Sequence, residues 1–181
     1  LKGNTSQSGT PTPDTPIPIN VVSGDNTIKV EGKNLFDISK ITALYNSSYS
    51  EPKANAGTIE NGIITVNLGS YSDRVYLYDS SITLEAGTYT LSTYVKANKS
   101  SGNKNLTISV RKKSDKSNIN TTYPTLSSYN VEERFSNTFT LSETTEIILD
   151  LQGGGEAGDY SNLNIQFSKI QIEKGSSASD F

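Results

Sequence analysis

Apolar and polar positions alternate along most of the chain, which is the pattern of β-strands that bury one face. Turn-forming residues separate these runs at short intervals, and Asn61-Gly62 between two runs is a strong hairpin signal. About ten short strands with almost no helix predict an all-β fold, an antiparallel two-sheet β-sandwich or a barrel. From residue 58 onward the predicted strands are 58–59, 63–66, 74–78, 82–84, 89–97, 106–112, 119–123, 135–141, 147–151 and 163–172.

The same alternation assigns each residue of three strands to a face. One-sided strands of this kind are what a two-sheet sandwich requires. The apolar sets, which we expect in the core, are Tyr89, Leu91 and Val95; Leu106, Ile108 and Val110; and Ile147, Leu149 and Leu151. The sets expected to face outward are Thr90, Ser92, Tyr94 and Lys96; Thr107, Ser109 and Arg111; and Ile148, Asp150 and Gln152.

The first part of the chain has a different pattern. Residues 1–20 are rich in Pro and Thr, which favours an extended linker or connector. A hairpin is predicted over 17–30, with its turn at Gly24-Asp25-Asn26. Asp37 precedes apolar residues at helical spacing and is predicted to cap one or two helical turns. We therefore expect a linker over 1–20 and one β-sandwich domain over 21–181.

The composition excludes several kinds of chemistry. The 181 residues include no His and no Cys, so Ser–His–Asp catalysis, Cys–His catalysis and His/Cys zinc sites cannot form. A net charge of −3 argues against nucleic acid as a partner, and no apolar run approaches the length of a membrane span. The chain has no Met and opens at Leu1, so we expect it to be a piece of a larger polypeptide.

Two groups of motifs carry a resemblance to known proteins. The first group is Gly3-Asn4-Thr5, Gly9-Thr10-Pro11-Thr12-Pro13-Asp14, Pro16-Ile17-Pro18-Ile19 and Gly32-Lys33-Asn34-Leu35-Phe36-Asp37. It resembles a segment that recurs in tail and baseplate proteins of phages and prophages of Gram-positive bacteria. The second group is 84–96, with Leu84-Glu85-Ala86-Gly87-Thr88-Tyr89, and the ending 170–176. It is similar to the jelly-roll carbohydrate-binding modules often attached to those tail proteins.

The resemblance implies a two-sheet jelly roll on a virion tail and sugar recognition on its concave sheet. Related modules often have an acidic residue just before the final strand that helps hold a structural calcium ion. Here Ser168 and Lys169 stand at that place, and the Trp that often forms the ligand platform is absent from the chain. We expect no cofactor; a structural calcium ion would have to use oxygens from Asp25, Asn26, Asp37, Asp79 and Glu85, which lack an EF-hand pattern.

Sugar recognition combines aromatic rings that stack on the pyranose with polar groups that bind its hydroxyls. The chain has ten Tyr, and several alternate outward with Arg, Asp and Gln on predicted strands. The alternative is that Tyr76 and Tyr78 are core or rim tyrosines. A rim site could instead use the loop tyrosines Tyr45, Tyr49, Tyr71, Tyr123, Tyr129 and Tyr160. The predicted groove is lined by Tyr76, Tyr78, Tyr94, Arg111, Asp150 and Gln152, with Tyr94 and Arg111 on neighbouring strands.

Other motifs add little chemistry. The stretch 153–158 fits G-x-G-x-x-G, but a further strand rather than a helix is predicted after it, so it is interpreted as a loop. Lys112, Lys113 and Lys116 form a basic cluster that would suit teichoic-acid phosphates or simply be a solvated turn. Glycoside hydrolysis needs a spaced carboxylate pair, and no spacing marks one among Glu132, Glu133, Glu143, Glu146, Asp150, Glu156 and Asp159.

These observations predict a non-catalytic carbohydrate-binding module of a phage tail or baseplate protein, not an enzyme. Its expected partners are the cell-wall polysaccharide of a Gram-positive host and other tail subunits, with neither nucleic acid nor membrane. Its expected location is the virion, or outside cells after release. Two alternatives remain: a structural spacer or oligomerisation sandwich of the tail without a ligand, and a sugar-binding domain of a bacterial surface protein.

Overall fold

The computed structural model describes residues 34–44, 57–68, 74–98, 106–152 and 163–181. The chain divides into two units, Leu1–Val30 and Glu31–Phe181, and every described residue belongs to the second. The predicted linker over 1–20, the hairpin over 17–30 and the glycine-rich loop at 153–158 lie outside the described residues. So do Asp25, Asn26, Tyr45, Tyr49, Tyr71 and Tyr160.

The described residues form ten β-strands and two short 3₁₀ turns, with no α-helix among them. No helix in this part of the chain has the length and apolar character needed to cross a membrane. The turns are Ile38–Lys40 and Tyr78–Ser80. The strands are β1 Gly57–Glu60, β2 Ile63–Leu68, β3 Arg74–Tyr76, β4 Ile82–Leu84, β5 Gly87–Ala97, β6 Thr107–Lys112, β7 Asn118–Thr122, β8 Glu133–Leu141, β9 Thr145–Gln152 and β10 Leu163–Lys174.

The strands pair in two antiparallel sheets, which confirms the predicted two-sheet β-sandwich. Sheet 1 has the order β1-β2-β10-β5-β8. Sheet 2 has the order β3-β9-β6-β7, and β4 pairs with the remaining length of β9. The β1–β2 hairpin turns at Asn61 and Gly62, whose φ angles of 51° and 76° suit this two-residue turn and explain why the sequence has Asn-Gly there.

The hydrophobic core contains all nine residues that the alternation assigned to it, including Tyr89, Val110 and Leu149. The buried Ile148 is absent from this cluster, Tyr94 contacts Lys169, and Arg111 binds Asp150, so the predicted faces of β5, β6 and β9 are confirmed. Tyr89 stacks on Phe139 of β8 with ring centroids 5.8 Å apart, and its hydroxyl donates to the Glu85 carbonyl at 3.0 Å.

The segment Asn34–Leu44 packs on one edge of the sandwich. Asp37 accepts a hydrogen bond from the Ser39 amide at 3.1 Å and caps the turn Ile38–Lys40, as predicted. Asn34 and Leu35 bind the part of β10 that extends beyond its pairing with β2. The Asn34 Nδ2 donates to the Ile170 carbonyl at 3.0 Å, and its Oδ1 accepts from the Ile172 amide at 3.0 Å. Leu35 N donates to the Ile172 carbonyl at 2.8 Å.

Candidate functional site

The outer face of sheet 2 carries a row of polar side chains that crosses four strands. Tyr76 pairs in register with Asp150, Asp150 with Ser109, and Ser109 with Thr121. The neighbours of Tyr76, Ser109 and Asp150 along their strands belong to the core, so these three lie on the opposite side of the sheet. The Thr121 hydroxyl lies 3.0 Å from that of Ser109 and so shares this side. We call this surface, together with Arg111 on β6, the Arg111 face. It brings together three of the predicted site residues: Tyr76, Arg111 and Asp150.

Arg111 is held in one orientation on this face. Its Nε donates to the Asp150 Oδ2 at 2.7 Å, and its Nη1 donates to the Lys116 carbonyl at 2.9 Å. Asp150 is fully buried, whereas the Arg111 side chain is 16% exposed. A charge-assisted bond to a buried carboxylate is short and strong, and it fixes the plane of the guanidinium. Arg111 therefore presents its remaining donors at the surface in a preset direction.

Tyr76 does not offer a stacking surface in this structure. It is 1% exposed, which agrees with the alternative in which it is a buried tyrosine. Ile148, beside Arg111 in the register, is also 1% exposed. The outer face of sheet 2 is thus buried around Tyr76, Ile148 and Asp150, and Arg111 reaches further toward solvent than they do.

Two further site residues occupy other positions than expected. β3 ends at Tyr76, and Tyr78 begins the 3₁₀ turn Tyr78–Ser80, so the predicted strand over 74–78 is wrong for its last two residues and does not carry both tyrosines. The turn forms because the chain leaves the sheet after Leu77, whose side chain is in the core. Gln152 is the last residue of β9 and pairs with Arg74 and Thr107. The side chains of Tyr78 and Gln152 lie outside the described part of the chain.

Tyr94 lies on the other sheet, and the expectation that it neighbours Arg111 across two strands is wrong. β5 pairs with β8 and β10, whereas β6 pairs with β7 and β9, because the chain crosses from one sheet to the other between β5 and β6. On the outer face of sheet 1, the Lys169 Nζ lies 4.3 Å from the centroid of the Tyr94 ring. The Arg134 guanidinium lies 5.8 Å from the same centroid, so two cations contact the ring.

The outer face of sheet 1 also binds the end of the chain. Arg134 Nη2 donates to Ser92 Oγ at 3.2 Å, to Gln171 Oε1 at 3.4 Å and to the Ser179 carbonyl. Glu173, 1% exposed, accepts from the Ser179 amide at 3.0 Å and its hydroxyl at 2.6 Å. We call this surface, which includes Tyr94, the Arg134 face. The contact of this face with residues 175–181 was not predicted from the sequence. The outward alternation of Arg134 on 133–141 was the signal for a polar outer face there.

The carboxylates considered for glycoside hydrolysis have other partners where the structure describes them. Glu133 accepts hydrogen bonds from the Ser127 and Ser128 amides, which hold its pKa below the usual range. Glu146 accepts from Lys113 and Ser81, which lower its pKa. A general acid of a glycosidase needs a raised pKa, so these two groups are poorly suited to that role.

The basic cluster is engaged as well, and so is Asp79, one of the suggested calcium ligands. Lys113 Nζ lies 2.9 Å from Glu146 Oε1, and Lys112 Nζ lies 3.9 Å from Glu143. Asp79 Oδ2 accepts from the Thr42 hydroxyl at 2.7 Å and from the Ala43 amide at 3.2 Å. Over the described ranges, no three acidic side chains come close enough together to hold a metal ion. Phosphate binding at the lysines remains a prediction.

The comparisons with known proteins give the class of fold. No protein-family model and no curated protein matches this chain. Among solved structures, the tripod from the baseplate of bacteriophage Tuc2009 aligns with 83% of this chain and 58% of its own, at 20% identity and a TM-score of 0.52. The chain therefore spans a little over half of that tripod protein, and at this identity the likeness shows the fold alone.

Carbohydrate-binding modules are also among the similar structures. A CBM4 structure aligns with 75% of this chain and 80% of its own, at 15% identity and a TM-score of 0.49. The N-terminal cellulose-binding domain of Cellulomonas fimi β-1,4-glucanase C aligns with 64% of this chain and 78% of its own, at 21% identity and a TM-score of 0.45. The sheet topology, together with the likeness to the baseplate tripod, defines the protein as a two-sheet β-sandwich of the jelly-roll kind.

Proposed function

We propose that this chain is a non-catalytic carbohydrate-binding module of a phage tail or baseplate protein. Its ligand would be a cell-wall saccharide of a Gram-positive host, bound during adsorption at the Arg111 face. The observation that carries the proposal is the fixed orientation of Arg111. Its guanidinium is held by Asp150 at 2.7 Å and by the Lys116 carbonyl at 2.9 Å, yet its side chain remains 16% exposed.

Arg111 suits a ligand rich in hydroxyl groups. A guanidinium has five N–H donors in one plane, and the two bonds above use one donor on Nε and one on Nη1. Sugar hydroxyls accept hydrogen bonds from such a planar group. Because the side chain is already ordered, binding avoids the roughly 0.5–1.5 kcal/mol that immobilising a free side chain costs. Arg111 is therefore the contact residue of the proposal, and Asp150 is its positioning residue.

The aromatic part of the proposed site lies at the rim of sheet 2 and not at the predicted Tyr76. Tyr123 follows β7 directly and is 62% exposed, whereas Tyr76 is 1% exposed. An exposed tyrosine ring can stack on a pyranose without displacing protein atoms. Each such site would bind weakly, and several copies on one tail would provide useful affinity by acting together.

One observation favours the structural alternative, a sandwich that acts as a spacer or assembly unit. Residues 175–181 bind the Arg134 face, and two cations already contact the ring of Tyr94 there. A face that serves to hold the chain end has less surface for a ligand. The two proposed functions differ in what they require of the Arg111 face. A saccharide-binding module needs this face to be accessible, whereas a spacer does not.

Binding of the fluorescently labelled chain to Gram-positive cell walls tests the proposal, before and after the wall polysaccharide is stripped. Arg111→Lys keeps the charge but loses the planar fork, so binding should weaken about tenfold, as expected for loss of a hydrogen bond to a charged group. Arg134→Lys, on the opposite face, is the matched control and should bind like wild type.

Equal binding to intact and stripped walls would overturn the saccharide ligand. Loss of binding in Arg134→Lys but not in Arg111→Lys would overturn the Arg111 face. Absence of wall binding even by an artificially multimerised chain would favour the structural alternative. Thermal unfolding of each variant shows that any loss of binding occurs in a folded protein.

A further inference from the structure

A cleft of about 390 Å³ opens on the sheet 1 side of the molecule. It lies between the β1–β2 hairpin, the bulge in β10 and the segment that begins at Asn34. Its volume falls within the range of about 300–1,000 Å³ that is usual for small-molecule sites. The predicted groove did not include it, and none of its lining residues belongs to the Arg111 face.

The cleft has one apolar wall and one charged wall. Phe36, Ile63, Ile170 and Phe181 supply the apolar wall. On the charged wall, Glu132 Oε1 accepts from the Ser168 hydroxyl at 3.0 Å, and Glu132 Oε2 lies 3.4 Å from the Lys169 Nζ. Glu132 and Lys169 are 41% and 42% exposed, so both charged groups are ordered and yet reachable from solvent.

The bulge in β10 creates this charged wall. The register between β10 and β5 shifts between Ser168 and Gln171, and Lys169 has a φ of 49°, in the left-handed region. The extra residue turns the Lys169 side chain toward the Tyr94 ring, where its Nζ lies 4.3 Å from the centroid. A bulge that re-aims one side chain in this way is a common device beside binding sites.

We propose that this cleft binds one neutral pyranose unit of a saccharide chain, an inference that rests on the proposed function. The apolar wall matches the C–H face of a sugar ring. The carboxylate accepts from hydroxyls and the ammonium donates to them. Because Glu132 and Lys169 neutralise each other, the wall has no net charge to select an anion or a cation. The module then has two saccharide sites, one on each side of the sandwich.

Isoleucine methyl groups report the two sites separately in the full chain. Ile63 and Ile170 line the cleft, and Ile148 lies on the Arg111 face. Neutral polysaccharide released from the walls used in the binding assay is titrated into the chain labelled with ¹³C at isoleucine methyls. We expect saturable shifts at Ile63 and Ile170. Glu132→Gln should weaken the binding seen there about tenfold, since a bond to a charged acceptor becomes a neutral one, and should leave Ile148 unaffected.

The control for Glu132→Gln is Glu143→Gln, which removes the same charge from an exposed group far from the cleft lining. Shifts at Ile148 alone would overturn the cleft proposal and leave the proposed function standing. Tighter binding by Glu132→Gln would also overturn it, because a carboxylate that accepts hydrogen bonds from the ligand cannot improve binding by losing its charge. Absence of any shift, together with absence of wall binding, would overturn the cleft and the proposed function alike.

Discussion

Arg111 and Arg134 lie on opposite outer faces of the sandwich, and each binds acceptors from a different part of the chain. Arg111 is held by a buried carboxylate on the neighbouring strand β9 and by the carbonyl of Lys116. Arg134 binds Ser92 and Gln171 within its sheet, and also Ser179 in the segment after β10. The first arrangement joins paired strands and the turn after one of them, whereas the second includes a contact with residues 175–181, outside both sheets.

The two outer faces of the sandwich therefore differ in what holds their arginine side chains in place. Strand pairing keeps Arg111 oriented as long as the sheet is intact. The bond from Arg134 to Ser179 is lost whenever residues 175–181 detach, which needs no change in the sheets. A binding site needs the first kind of support, because a ligand gains affinity from groups that are already in place. Variants that break one arrangement at a time test this comparison.

Asp150→Ala is expected to have the largest effect. It leaves Arg111 without its carboxylate partner, and Asp150 itself is fully buried. Removing one partner of a buried ion pair costs about 3–5 kcal/mol. For a chain of this size the loss corresponds to a decrease in Tm of roughly 6–20 °C. Asp150→Asn keeps the shape and one acceptor, so it should lose less. A loss below about 1 kcal/mol in Asp150→Ala, measured by urea unfolding, would show that the pair contributes no more than an exposed ion pair does.

Glu173→Ala should have a smaller effect on the other face. Glu173 is 1% exposed and accepts two hydrogen bonds from Ser179. Loss of bonds to a charged acceptor costs about 1.5–3 kcal/mol, and the freed groups of Ser179 can bind water. Hydrogen exchange should accelerate at the Ser179 amide and stay unchanged at the centres of β6 and β9. Ser179→Ala, which removes only the hydroxyl, should lose less. If Glu173→Ala were more destabilising than Asp150→Ala, the contact with residues 175–181 would stabilise the fold more than the Arg111–Asp150 pair does, which contradicts the comparison.

Glu146, beside the Arg111 face, should give the smallest effect, and one that depends on pH. The hydrogen bond from Lys113, and to a lesser extent the one from Ser81, holds the pKa of Glu146 below its ordinary value of 4.5. A carboxyl with a lowered native pKa stabilises the fold above its ordinary pKa, and this contribution disappears as the pH falls through the native pKa. Because the Glu146 side chain is 47% exposed, the contribution at pH 7 should be at most about 1 kcal/mol.

Thermal unfolding of Glu146→Gln against wild type measures this effect. The variant should be slightly less stable at neutral pH, and the two proteins should become equally stable in acid. Glu143→Gln is the control, since Glu143 is 74% exposed and lies 3.9 Å from Lys112; it should match wild type throughout. A difference that grows as the pH falls would contradict the assigned pKa direction.

Alternation predicted the strands and their faces because apolar and polar residues alternate in the sequence of a strand that is buried on one side. It placed Leu91, Val110 and Leu149 in the core, and each is there. It could not assign Tyr94 and Arg111 to different sheets, since a connection between two strands looks the same whether it forms a hairpin or crosses the sandwich. Pairing partners depend on packing between distant parts of the chain, which no local pattern records.

The candidate site was predictable only in part, for related reasons. The outward position of Asp150 and Arg111 follows from period two, but their bond joins residues 39 positions apart and needs β6 and β9 to be neighbours. Alternation in the sequence does not predict the burial of Tyr76 or the contacts that residues 175–181 make. The cleft beside Lys169 depends on a bulge, and one extra residue in a strand cannot be recognised without its partner strand.

The attachment of Asn34 to β10 has a mechanical consequence. Three hydrogen bonds join Asn34 and Leu35 to Ile170 and Ile172, and the side chain of Phe36 is buried directly after them. A pulling force that reaches Asn34 along the backbone is therefore shared by these bonds and passes into the final strand, in the middle of its sheet. The β1–β2 hairpin at the sheet edge carries little of this load, so the module should resist tension better than its edge strands alone would allow.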